Sequence, residues 1–301
     1  MTKRYALFAV LMFGAVPAAQ QNRSPVDLAM APVPPGAVRI PYGADPLQFG
    51  ELRVPSGNGL HPVAIVVHGG CWASALGKMD PAGVSIANMR PIAVALTEAG
   101  VATWNIEYRR LGNDGGGWPG TFKDVAAAAD ALRGIAREHG LDLKRTIAIG
   151  HSSGGHLALW LAARTKIPAS SDIYTKDPIP LAAAVSLDGP GDLNAMFLAQ
   201  QSICGRPVIT ELMGGTPNEQ PDRYRAASPA ELLPTGVRAA SLAGKAFAAQ
   251  NATYEAAAIK AGDSVQSVTI PTAGHFVFID PQSDVFPQVR TTVRRLLGLE
   301  K

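Results

Sequence analysis

Val63-Ala-Ile-Val-Val67 is an uninterrupted apolar, β-branched run, the pattern of a strand buried on both faces of a parallel sheet. Thr146-Ile-Ala-Ile149 and Leu181-Ala-Ala-Ala-Val-Ser-Leu187 have the same character, and Val101 to Tyr108 reads as a further strand. Between these runs the period changes. Ile86, Met89, Ile92, Ala93, Leu96 and Ala99 recur at helical spacing before Gly100, and Pro91 places the start of the regular part near Asn88. Phe122 to His139, the Ala-rich stretch after Ser152, Ala248 to Ala261 and Pro287 to Leu297 are predicted helices, and Gly236 to Leu242 and Ser264 to Ile270 are predicted strands. Val38 to Tyr42 and Glu51 to Val54 alternate only weakly and are expected at a sheet edge. Strands alternating with helices predict an α/β fold: a doubly wound, mostly parallel sheet flanked by helices. Residues 193–234 carry several prolines, Gly214-Gly215 and no clean strand, and are expected to form a small lid insertion over the strand ends.

Composition adds an address more than a function. The chain of 301 residues, 47% hydrophobic and 17% charged, suits one globular domain over residues 39–301. Residues 1–20 combine Lys3-Arg4, the apolar run Tyr5 to Phe13 and small residues at Ala18-Ala19, the parts of a secretory signal peptide. The run is shorter than the ~20 residues that span a bilayer, so export to the periplasm or outside is expected, with no stable membrane insertion after cleavage. Residues 21–38, rich in proline, read as an extended leader. The formal charge of +3 falls to +1 without Lys3 and Arg4, which implies no nucleic-acid surface. Cys71 and Cys204, the two cysteines, can pair or stay free in an exported chain.

The candidate chemistry lies where apolar runs stop. Gly150-His151-Ser152-Ser153-Gly154 follows the 146–149 run, placing Ser152 on a sharp strand-to-helix turn that glycines allow because they lack Cβ. A serine hydroxyl is a poor nucleophile until a base takes its proton and a third group fixes that base. His275, just past the last strand, is the candidate base. His68-Gly69-Gly70-Cys71-Trp72 follows the 63–67 run directly. His151 and His156 are expected to have packing roles, and Trp72 and Trp118 fit either a substrate pocket or the core. No metal-ligand spacing and no dinucleotide fingerprint is present, so no cofactor or metal is expected.

With these motifs in the order serine, acid, histidine, residues 45 to 295 resemble the α/β-hydrolase superfamily, and within it the HGG-type serine esterases that are feruloyl-esterase-like or kynurenine-formamidase-like. The resemblance implies that Ser152 is the nucleophile of a catalytic triad, that Gly70, Cys71 and Ser153 donate N–H groups to an oxyanion hole, and that the substrate is a small-molecule carboxylic ester. Amide or formamide hydrolysis is the alternative reaction. A weakened binding protein of the same fold is the alternative class, because one feature departs from the pattern. Many relatives place the triad acid in a loop after the penultimate strand, yet no carboxylate occurs here between Gly236 and Tyr254. Asp188, ending the strand after the serine-bearing one, is the favoured replacement; Asp192 reads better as a helix cap, and Asn251 is a neutral alternative. Asp280 reads as a turn residue, and Asp263 lies at the opposite end of the sheet.

Overall fold

The computed structural model describes residues 23–75 and 84–300. The expected signal peptide lies outside them. Eight strands, β1 (Val38–Pro41), β2 (Phe49–Arg53), β3 (His61–Val67), β4 (Ala102–Ile106), β5 (Leu141–His151), β6 (Ala183–Leu187), β7 (Arg238–Ala243) and β8 (Val265–Thr269), form one sheet in the order β1-β2-β4-β3-β5-β6-β7-β8. Only the β1–β2 and β2–β4 pairs are antiparallel. The β-branched run of β3 sits at the centre between β4 and β5, and Val63 to Val67 are fully buried because helices cover both faces.

The helices are α1 (Pro25–Ala29), α2 (Arg90–Glu98), α3 (Gly120–Asp130), α4 (Leu132–Ile135), α5 (Ser153–Ala163), α6 (Leu193–Cys204), α7 (Val208–Met213), α8 (Pro221–Ala227), α9 (Ala248–Ala261) and α10 (Phe286–Leu296). Every residue of α5 is buried, which accounts for a sequence that is apolar on all sides rather than along one stripe. A 3₁₀ turn over Ile86–Met89 precedes α2, so the helix becomes regular only as it reaches Pro91, whose missing N–H is no loss in a first turn. Helices α6, α7 and α8 occupy the segment expected to form a lid.

Two expectations need correction. The stretch 51–54 does not lie at the sheet edge: β2 pairs with β1 on one side and β4 on the other, and four of its five residues are buried. Only β1 is the edge, and the weak alternation of β2 reflects burial on both faces. Nor is the 21–38 leader extended throughout. Ser24 and Asp27 close a capping box around α1, and Leu28 is wholly buried in the cluster formed by α2, α10 and one face of the sheet. The prolines suggested PPII geometry, but one well-placed leucine and a reciprocal cap suffice to dock a single helical turn.

Candidate active site

Register brings the site together. Val67 lies beside Ile106 on one flank and Gly150 on the other, so His68, Glu107 and His151 leave neighbouring strand ends side by side. His151 in turn lies beside Leu187, and Leu187 beside Leu242, which carries the line on to Ser152, Asp188 and the residues after β7. These are carboxyl ends of parallel strands, the usual ligand-binding edge of such sheets.

Ser152 stands between β5 and α5 with φ 56° and ψ −124°. A Cβ on Gly150 would overlap the carbonyl oxygen of Gly154, and one on Gly154 would overlap that of Val67, so both glycines are required by close backbone approach. Cys71, Trp72, Ser152 and Asp188, with φ of 49°, 53°, 56° and 49°, are the non-glycine residues of left-handed backbone among the described residues, and all four belong to this one region. Each such residue costs about 1–3 kcal/mol and persists only where its surroundings hold it.

Asp188 is anchored from three directions. Its amide donates to the Leu242 carbonyl (2.7 Å), its Oδ1 accepts from the Gly244 amide (2.8 Å), and its Oδ2 meets His275 Nδ1 at 2.6 Å. The loop at Gly244 contains no acid of its own and supplies instead an N–H that holds the carboxylate of the adjacent strand. The Asp188 side chain is 1% exposed, while that of His275 is 31% exposed at the wall of a cavity. His275 stacks on Phe247, with ring centroids 5.8 Å apart. Asp192 caps α6 through the Asn194 amide, as its sequence context suggests. Asp263 accepts from the amides of Thr235 and Gly236 at the far end of the sheet, and Asp280 forms a two-point ion pair with Arg23. Asn251 is buried in α9 and is not the partner of His275 Nδ1.

His151 packs against the His275 ring at 4.5 Å, and its Nε2 lies 2.9 Å from the His275 carbonyl oxygen, to which it donates. Burial first, then the positive charge of His275, push the His151 imidazole well below the usual histidine range. It therefore stays neutral beside the His275 ring. His156 accepts from Trp72 Nε1 and faces the Ala227 carbonyl, an arrangement of packing rather than chemistry. That bond also assigns Trp72 to the core. Trp118 donates to Asp172 and packs edge-on against Phe122.

Glu107 is the site residue that motif reading missed. Its Oε1 accepts from His68 Nε2 at 2.9 Å and lies 3.0 Å from Arg110 Nη2, while Tyr108, stacked on the His68 ring, donates to the His68 carbonyl at 2.8 Å. Burial alone would raise this carboxyl, but the charge and hydrogen bond of His68, with the charge of Arg110, hold it at about 2. The His68-Gly-Gly loop thus starts from a histidine held by an anchored carboxylate. The signal in the sequence was a lone glutamate ending a strand, distinguishable from a surface residue only once β4 is known to lie beside β3. The Gly69 loop then passes so close to Ser152 that a Cβ there would lie 2.9 Å from the serine Cβ. The amides of Gly70, Cys71 and Ser153 have no acceptor among the described residues.

Gly70, Cys71, Ser152 and His275 line a cavity of about 380 Å³. Its other walls are mainly apolar: Val84, Ile203, Phe247 and Phe276, with Pro25 of α1 at one side. Cys71 is joined to Cys204, the last residue of α6, by a disulfide with a Cα–Cα distance of 6.1 Å.

A mostly parallel eight-stranded sheet, a serine on a strained strand-to-helix turn and a histidine–aspartate pair at the same edge define the α/β-hydrolase fold. The chain belongs to the BD-FAE family of α/β-hydrolase-like esterases, whose model matches residues 52–236. That match includes His68, Ser152 and Asp188 and ends before His275. The fold is shared with a truncated carbohydrate esterase from gut microbiota (22% identity, TM-score 0.68, covering 86% of this chain and 95% of that one). It is also shared with propionate-bound esterase 2 from Thermogutta terrifontis (21%, 0.68, 88% and 94%) and with an inhibited esterase B from Lactobacillus rhamnosis (19%, 0.72, 91% and 90%). No curated protein matches the sequence.

Proposed function

We propose that this chain is a serine hydrolase cleaving carboxylic esters of small, uncharged acyl groups through an acyl-enzyme on Ser152. The observation that carries the reading is the 2.6 Å contact between His275 Nδ1 and a buried, triply anchored Asp188, beside a strained serine in the same cavity wall. With Nδ1–H donated to Asp188, Nε2 is the ring nitrogen that takes the Ser152 proton as Oγ attacks the ester carbonyl. The amides of Gly70, Cys71 and Ser153 receive the developing oxyanion, and the N-terminus of α5 adds its positive dipole end there. His275 then protonates the departing alkoxide, and water repeats the sequence to free the acid and restore Ser152. The apolar cavity favours an acyl group without charge.

Export is part of the proposal. It is supported by the N-terminal sequence and by the Cys71–Cys204 disulfide, which an oxidising compartment maintains. The alternative of a weakened binding protein rests on the missing carboxylate after Gly244; the contact of the anchored Asp188 with His275 supports the hydrolase reading instead.

Purified protein is expected to hydrolyse p-nitrophenyl acetate and butyrate and to be labelled by a fluorophosphonate, and Ser152→Ala to abolish both while leaving the circular-dichroism spectrum intact. A folded wild type that does neither would refute the proposal. Turnover of aryl formamides or peptides in preference to esters would move the assignment to amide hydrolysis on the same residues.

A further inference from the structure

We infer that the Cys71–Cys204 disulfide is a positioning device for the oxyanion loop: by fastening Cys71 to the end of lid helix α6, it maintains the left-handed backbone on which the hole's geometry depends. The inference rests on the proposed role of Gly70 and Cys71 as oxyanion donors.

The loop from His68 to Ser74 is pinned residue by residue. His68 is fixed by Glu107 and Tyr108. The Gly70 carbonyl accepts from the Ala73 amide, and the Trp72 carbonyl accepts from the Leu111 amide, both at 2.9 Å. Trp72 is further held through its indole N–H by His156. Cys71 lies between these anchors with φ 49°, and among the described residues its backbone makes no hydrogen bond. Its side-chain anchor is the sulfur–sulfur bond. A cysteine carries a Cβ and gains nothing from left-handed backbone, so this conformation requires an external restraint.

The other end of the tether is firm. Cys204 is 2% exposed and closes α6, a helix capped at its start by Asp192. The Gln200 side chain, one turn before Cys204, accepts from the amides of Ile209 and Thr210 and so joins α6 to α7. Ile203, next to Cys204, lines the same cavity as Ser152 and His275. One covalent link therefore fixes both an oxyanion donor and the lid wall that the substrate faces.

A restraint on the oxyanion hole acts on the transition state more than on the bound ester, so its loss lowers kcat with little change in KM. Two double variants separate backbone restraint from other effects. Cys71→Ala/Cys204→Ala removes the link and keeps a Cβ at the left-handed position. Cys71→Gly/Cys204→Ala removes the link but supplies a residue that adopts that backbone without cost.

With p-nitrophenyl acetate, at a temperature where circular dichroism shows both proteins folded, the first variant is expected to lose about ten- to a hundredfold in kcat, with KM within about threefold of wild type. The second is expected to recover most of that loss. Wild-type kcat in the first variant, or equal losses in both, would overturn the inference while leaving the Ser152 assignment standing. A wild type that neither turns over ester nor reacts with fluorophosphonate would overturn both. Should either variant not fold, kcat and KM of folded wild type before and after disulfide reduction give the same comparison: unchanged kcat overturns the inference, and a fall confined to kcat supports it.

Discussion

Asp188 and Glu107 are buried carboxylates at the carboxyl ends of β6 and β4, with β5 and β3 between them, and each holds a histidine. In the proposed mechanism Asp188, 2.6 Å from His275 Nδ1, orients that ring and balances the imidazolium that forms when Ser152 gives up its proton. Asp188→Asn preserves shape and the contact with Gly244 but removes the charge and disturbs the tautomer. We expect kcat to fall by about four orders of magnitude with the fold intact, measured on p-nitrophenyl acetate. A fall of less than about tenfold would remove Asp188 from the mechanism. Its candidacy was readable from position, because an aspartate ends the strand after the serine-bearing one. Glu107 was not readable, since its significance depends on which strand lies beside β3, and β4 follows β3 only after a helix.

The 193–234 segment and the N-terminal segment both contribute to the cavity wall, yet the pattern of apolar positions described them unequally. Helices α6 to α8 fall where glycine, proline and the absence of strand periodicity indicated an insertion. Helix α1 was hidden among prolines, and it matters because Pro25 borders the cavity while Arg23 clamps Asp280 in the loop after His275. If Leu28 is the anchor of this segment, Leu28→Ala leaves a void and costs about 3 kcal/mol. The midpoint of urea unfolding checks this, and a change below about 0.5 kcal/mol, typical of an exposed site, would mean that α1 does not dock in solution.

Across the whole molecule, His156, His151 and Glu107 give an acid-side pH dependence of stability with one sign. Burial, partly opposed by the Ala227 carbonyl, pushes His156 down to about 4 from an ordinary 6.5. Above 6.5 the ring is neutral whether the chain is folded or unfolded, and the native state has its full stability. As pH falls from 6.5 towards 4 the unfolded chain binds a proton that the folded one refuses, so stability declines. His151 acts in the same direction. Glu107, held at about 2 against an ordinary 4.5, contributes stability that is present above 4.5 and lost as pH falls through 2. The urea midpoint is therefore expected to be flat from pH 6.5 to about 9, below the ordinary tyrosine range, and to fall continuously below pH 6.5. A midpoint that holds steady between pH 6.5 and 4 would contradict burial of these rings as neutral species. Much of this architecture was legible in one dimension, because a strand buried on both faces must be apolar throughout and a serine elbow needs glycines on either side; these are local demands, and they specified the α/β class, Ser152, His68 and the neighbourhood of His275. The partner of each histidine, the bond between Cys71 and Cys204, and the docking of Leu28 depend on strand order and on contacts between distant segments, 133 residues apart in the case of the disulfide. Sequence spacing carries no measure of such distances, and only the packed sheet brings those groups within bonding range.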